Sequence, residues 1–334
     1  MSQIKVLYVI PQNPAPYLIS SFYQREVESL AELGVETHVF MLRSRTSPRV
    51  LAADWLHFRR IVSEINPDIV HAQYGTMTAF FTTCATLKPI VTTFRGSDLN
   101  PVTVGHPLRL FLSRLMSQFA AWRASAIVCV SGQLKKRLWS NTDRAAVLTN
   151  GIDLKLFVPM KKVEARRALN MPEQGYRVLF NAGALEHHKI KRLDLAEAAF
   201  ALLKNSLPDV HLDVLRGQIS AEDIPLHISA ADCLLLTSDH EGSPSMVKEA
   251  MACNLPVISV EVGDVPEVLE GVEPSRIVSR NPEDIAAAML EILRIGKPSN
   301  GREKAASFSK EKIAHSILDI YKSILAGNAV KTPL

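Results

Sequence analysis

Short β-branched runs alternate with helical patterns over 334 residues, broken once by a turn-rich, charged segment. This predicts an α/β chain of two doubly wound, Rossmann-like domains facing a cleft. Length decides for two domains, because single cores stop growing at about 250–300 residues. The break is Asn150–Lys162 (NGIDLKLFVPMKK), which places a first domain at residues 1–160 and a second at 161–305, with a helix and tail at 306–334.

In the first domain the strands read Lys5–Ile10, Glu36–Leu42, Asp68–Gln73, Pro89–Phe94, Ala126–Ser131 and Ala146–Thr149. Such short apolar runs suit parallel strands covered on both faces. Helical periodicity marks Ser21–Leu33, Leu51–Ile65 and Leu108–Arg123, and Gly34 caps the first of these helices. The second series of strands is Arg177–Ala182, His211–Leu215, Asp232–Thr237, Pro256–Val260 and Arg276–Val278. Helices Leu193–Asn205, Ser245–Cys253 and Glu283–Ile295 intervene, and an amphipathic pattern closes at Lys310–Leu325.

Composition excludes several classes. With 47% hydrophobic and 22% charged residues the chain is an ordinary globular protein, and 6% aromatics with a net charge of +4 argue against a nucleic-acid binder. The four cysteines, at 84, 129, 233 and 253, form no metal-ligand spacing and read as thiols of a reducing cytoplasm. The first residues read as a strand rather than a signal peptide, and no window approaches about 18 uninterrupted apolar residues. The expected location is cytoplasmic, with a peripheral contact at the inner membrane face as an alternative.

Ligands of such sheets bind beyond the carboxyl ends of the strands. After Asp232–Thr237 come Glu241, Gly242, Ser243, Pro244 and Ser245, with Glu249 in the helix that follows. Pro244 suits the first helical position and Ser243 the N-cap, leaving the first N–H groups for a phosphate. Glu241 and Glu249, with seven residues between them, can accept hydrogen bonds from vicinal sugar or ribose hydroxyls. A second strand-to-helix passage, Asn181–Arg192, offers Gly183 for a tight turn and Lys189, Lys191 and Arg192 as phosphate charge. His187 and His188 are adjacent and cannot easily aim at one ion, so no metal site is expected. In the first domain, His71 and the run Arg95–Asp98 also follow strands. His71 reads either as a reacting group or as a buried hydrogen-bonded histidine.

The run EGSPSMVKE followed by AMACNLPVISVEVGDVPEVLEG resembles family 4 retaining glycosyltransferases, the "group 1" set with the GT-B architecture. VCVSGQLKKRL at 128–138, LTNGIDLKLF at 148–157 and KRLDLAEAAFALL at 191–203 support it, so the likeness covers most of the chain. It implies a nucleotide-diphosphate sugar as donor substrate and no further cofactor. Glu241 would then contact the sugar and Glu249 the ribose; Gly242, Ser243 and Pro244 would line the sugar pocket. Lys191, Arg192 or Lys189 would hold the diphosphate, with Gly263 and Asp264 behind. The implied reaction is front-face substitution, in which the departing phosphate takes the acceptor's proton. The acceptor would be a saccharide or lipid-linked saccharide, and the final helix would cross back onto the first domain.

The sequence departs from the family in four places. Ala184 stands where relatives carry an arginine, and Arg95 where they carry a histidine, so Arg95 reads as a phosphate or acceptor clamp, and Asp98 either orients it or binds an acceptor hydroxyl. The turn after the first strand carries Pro11, Pro14 and Pro16 instead of paired glycines, and the connector from Arg216 to Asp232 is short. These departures keep open a non-catalytic nucleotide-sugar binder and, less favoured, a nucleotide-sugar epimerase. The helix from Pro107 to Ala124, apolar with Arg109, Arg114 and Arg123, reads as a sheet cover, or alternatively as a membrane-surface contact.

Overall fold

The computed structural model describes residues 3–12, 16–100, 106–183, 188–217 and 219–328, with side chains of 16–22 and 188 left aside. The chain forms two compact units, Met1–Gly151 with Lys310–Leu334, and Ile152–Ser309. The division thus falls at Gly151–Ile152, where the sequence placed it near 160. Ile152 already belongs to the second unit: its N–H donates to Phe308 O at 2.9 Å, beside a bridge to Ser309.

Unit 1 carries β1 (Lys5–Pro11), α1 (Pro16–Glu32), β2 (Glu36–Leu42), α2 (Pro48–Ile65), β3 (Ile69–Gln73), α3 (Thr76–Ala85), β4 (Ile90–Phe94), α4 (Pro107–Arg123), β5 (Ala126–Cys129), α5 (Gly132–Lys135) and β6 (Ala145–Val147). The strands lie parallel in the order β2-β1-β3-β4-β5-β6. Strand alternation splits β1 between two layers. Val6, Tyr8 and Ile10 pack with Leu30 and with Ile317, Ile320 and Tyr321 of the final helix, whereas Leu7 and Val9 pack with Phe40, Phe58 and Phe81. Gly34 takes φ +84 after α1, as its C-cap role requires.

Unit 2 carries α6 (Lys162–Ala168), β7 (Tyr176–Asn181), α7 (His188–Lys191), α8 (Leu193–Ser206), β8 (Val210–Leu215), α9 (Ile224–Ala230), β9 (Cys233–Leu236), α10 (Ser245–Ala252), β10 (Val257–Val260), α11 (Val265–Leu269), β11 (Arg276–Val278), α12 (Pro282–Ile295) and α13 (Gly301–Ala305). Its parallel order is β11-β10-β9-β7-β8. Among the described residues the short connector holds one small helix, α9. The final helix α14 (Lys310–Leu325) packs its Ala314, Ile317, Ile320 and Tyr321 into the unit 1 core. Both sheets reverse strand order beside their first strand, between β1 and β3 and between β7 and β9. Such switch points open a crevice at the carboxyl edge.

Candidate functional site

The unit 2 crevice is bounded by the chain leaving β7 and the chain leaving β9. Asn181 Oδ1 accepts from the Gly183 N–H at 3.0 Å, and Gly183 turns with φ +65. Ala184, Leu185, Glu186 and His187 lie outside the described residues, so the missing arginine and the histidine pair have no structural account. The segment resumes at α7, and the chain leaving β9 grips its end. Thr237 Oγ1 donates to Lys191 O at 3.0 Å and to Arg192 O at 2.9 Å, and the Asp239 N–H donates to Ile190 O at 2.8 Å. Arg280 donates to Ser238 O at 2.9 Å from the other side. The loop is thereby fixed at the head of α10.

These bonds bring two predicted residues together. Lys191 Nζ lies 2.6 Å from Glu241 Oε1, both mostly buried. Arg192, in the left-handed region at φ +54, turns instead to Asp194 at 2.9 Å and Asp239 at 3.2 Å. Its charge is spent locally, and Lys189 is exposed. Gly242, Ser243, Pro244, Ser245 and Glu249 are all buried at the start of α10 and along it. The helix begins one residue later than the sequence suggests, with Pro244 as N-cap and Ser245 first in the helix. The reason is that Ser243 Oγ is bound elsewhere, 2.5 Å from Asp264 Oδ2 and against Lys248 Nζ. Among the described residues, the buried hydroxyls of Ser238 and Ser245 and Asp264 Oδ1 have no hydrogen-bond partner. Buried polar atoms left this way are costly, and a polar ligand would satisfy them.

Two family models match the chain, "Glycosyltransferase Family 4" over residues 13–156 and "Glycosyl transferases group 1" over 213–294. Together they cover more than half of it, and the second contains Glu241, Glu249 and the turn at Gly263. The chain belongs to the family 4, group 1, glycosyltransferases. It is 26% identical to an uncharacterised glycosyltransferase of Methanocaldococcus jannaschii over 80% of this chain and 78% of the relative. It is 29% identical to a D-inositol 3-phosphate glycosyltransferase of Geodermatophilus obscurus over 57% of this chain, and spans only 49% of that relative. Among solved structures, sucrose-phosphate synthase from Thermosynechococcus elongatus superposes with TM-score 0.79 at 17% identity, covering 98% of this chain and 100% of that one. The Anabaena HepE protein in complex with UDP and glucose gives 0.74 at 15%, covering 96% and 100%. The architecture is GT-B. A UDP-N-acetylglucosamine 2-epimerase from Listeria monocytogenes shares it at 0.67, 16% identical over the full length of both chains, so the fold alone does not choose the reaction.

Within this glycosyltransferase, unit 1 gives His71 the second of its two readings, a buried hydrogen-bonded histidine. His71 is 0% exposed. Its Nδ1 lies 2.6 Å from the Tyr321 hydroxyl and its Nε2 2.7 Å from Thr93 Oγ1, so neither nitrogen is open to a reacting group. Burial, aided by the charge of Arg95, pushes the imidazole down to about 3 and keeps it neutral. Arg95 is not presented as a clamp either. Its guanidinium donates to Gln73 Oε1 at 2.6 and 3.0 Å, to Glu26 Oε2 at 3.0 Å and to Asn150, and it stacks 4.8 Å from the Tyr23 ring. The cavity that Arg95 lines with Glu26 and Asn150 measures about 20 Å³, room for a single water. Asp98 does orient this loop, but through the backbone: its carboxylate accepts from the N–H groups of Gly75, Arg95 and Gly96. Burial still pushes that carboxyl up.

Sequence reasoning placed Gly263 and Asp264 behind the donor loop but missed Lys248. Lys248 is 0% exposed, bound to Ser243 and 3.4 Å from Asp264. Burial pushes the lysine down and the aspartate up, so each charge depends on the other. A lysine among the wholly buried residues of α10 was the available signal. Gly263, at φ +58, brings the turn so close that a Cβ there would stand 3.0 Å from Gly242 O.

Proposed function

We propose that this glycosyltransferase is retaining and metal-independent. Unit 2 takes a nucleotide-diphosphate sugar, and the sugar passes to a hydroxyl of a saccharide or lipid-linked saccharide. The setting would be bacterial surface polysaccharide or glycolipid synthesis in the cytoplasm. The observation that carries this reading is the Lys191–Glu241 pair, 2.6 Å apart at the switch point and at the head of α10. A lysine held by one carboxylate is placed to exchange part of that bond for a phosphate oxygen, while Glu241 then accepts from a sugar hydroxyl. Glu249, one helix face away, receives the ribose hydroxyls. The first N–H groups of α10 and the unpartnered Ser245 hydroxyl supply further donors. Positive charge and fixed amide dipoles together stabilise a leaving diphosphate. The acceptor attacks from the side on which it departs, so no protein nucleophile is needed.

The test is a titration of uridine- and guanosine-diphosphate sugars by calorimetry, with nucleotide release measured in parallel. Glu249→Gln should weaken donor affinity about 10- to 100-fold, the worth of a hydrogen bond to a charged group, with circular dichroism unchanged. Unchanged affinity would remove the assignment. Tight binding of a donor that is never turned over, even with lipid extract, would leave a binding protein instead.

A further inference from the structure

Helix α4 carries its apolar residues on the outside. The buried side presents Ser117, Gln118, Ala120 and Ala121, while Leu108, Phe111, Leu112, Leu115, Phe119 and Trp122 are 37–60% exposed. Their spacing puts all six on one stripe opposite the buried side. The inner polar groups are fully used. Ser117 Oγ donates to Asp98 O and accepts from the Thr76 N–H, each at 2.8 Å, and Gln118 bonds Arg137 O and the Trp139 N–H at 3.0 Å. The outward stripe is therefore fixed by the fold. It continues through the Phe119–Phe80 contact, 5.6 Å between rings, into an open apolar concavity of about 640 Å³ whose lining includes Leu51, Trp55, Leu56, Met77 and Phe80. A contiguous apolar surface of this extent marks an interaction site.

We propose that this face of unit 1 lies on a lipid bilayer with anionic headgroups. Charge and composition choose that occupant. By helical position Arg109 and Arg123 flank the stripe on one side and Arg114 on the other, and α4 contains no Asp or Glu. Arg114 lies 5.7 Å from the ring of Trp139, itself exposed, so an aromatic–cation pair stands at the edge as at membrane interfaces. A second copy docked through the same face would set these arginines against themselves across a two-fold axis. No described helix is long and apolar enough to cross a membrane, so the contact is one of surface docking. The inference is drawn from unit 1 alone and does not rest on the donor site.

The experiment is cosedimentation of the full chain, without donor, with vesicles of phosphatidylethanolamine and phosphatidylglycerol or of phosphatidylcholine alone. The wild type should pellet with the anionic vesicles and stay in solution with the neutral ones. Arg109→Gln with Arg114→Gln should lower the partition about 25-fold, about fivefold for each arginine. Phe111→Ser with Trp122→Ser should abolish it, with donor affinity and circular dichroism unchanged. Three results overturn the proposal: no binding to anionic vesicles, equal binding by wild type and variants, or a self-association in sedimentation velocity that the apolar variant dissolves while vesicles bind nothing. Failure here leaves donor binding untouched, so the two readings fall separately.

Discussion

Acidification should destabilise unit 1 through His71. The ring is wholly enclosed by Tyr8, Tyr321 and Thr93, and its pKa falls from 6.5 to about 3. Between those values the unfolded chain binds a proton that the folded chain refuses, so stability falls as the pH drops through about 6.5 toward 3. At about pH 5 the difference is about 1.5 pKa units, or about 2 kcal/mol at ~1.36 kcal/mol per unit. Near pH 3 the loss saturates at about 5 kcal/mol. For a unit of this size, about 2 kcal/mol corresponds to about 4–8 °C in Tm. The assay is urea unfolding of wild type and His71→Gln at about pH 8 and about pH 5. The variant should be less stable throughout, having lost two buried hydrogen bonds, but its fall between the two pH values should be smaller by about 2 kcal/mol. Parallel curves would refute the reasoning. So would a native-state imidazole titration near 6.5, or a limb in kcat/KM near that pH that His71→Gln removes, because either would make His71 a reacting group.

Lys191→Ala should lower kcat for sugar transfer or donor hydrolysis about 10²–10³-fold, the usual cost of one charge-stabilising donor, with a smaller change in donor affinity; unchanged nucleotide release would exclude the lysine from leaving-group stabilisation. Gly263→Ala forces a side chain into left-handed backbone 3.2 Å from Glu241 Cβ and should cost about 1–2 kcal/mol while weakening donor binding. An unaltered dissociation constant by calorimetry would show that the turn does not brace the loop. Lys248→Met should destabilise unit 2 by about 3–5 kcal/mol in urea unfolding, since it strands the buried Asp264; a neutral result would mean that Asp264 is already protonated.

The eleven strands of the described residues were legible as short runs, and central ones such as β3, β4 and β9 are continuous because both their faces are covered. Helix α3 was not: TMTAFFTTCA is rich in β-branched and aromatic residues, and it is helical because Thr78, Ala79, Thr82 and Thr83 are buried against neighbouring elements. The segment from Glu241 to Glu249 was legible because its residues are neighbours in the chain; the pairing of Glu241 with Lys191 was not, because the two residues leave different strands. Arg95 was misread for the same reason. Its partners come from Glu26 on α1, Gln73 on β3 and Asn150, and nothing local to Arg95 shows that a carboxylate and two amides converge on it. The same holds for α4, whose apolar residues look like core until the polar bonds of Ser117 and Gln118 fix its rotation.

The return of α14 into unit 1 also dictates an order of events on the ribosome. Tyr321 closes the cluster around Tyr8 and His71 and fills the face of β1 that Val6 and Ile10 share. Residues up to Gly151 leave the exit tunnel without that lid. All of unit 2 must be made before Lys310–Leu325 emerges, a delay of roughly 10–30 s at ~5–20 residues per second. Through that interval this side of the first sheet is covered by α1 without α14, while unit 2 has its whole sequence and can fold to completion. The unit translated first is therefore finished last, and nascent chains stalled before Lys310 should be the ones that chaperones hold.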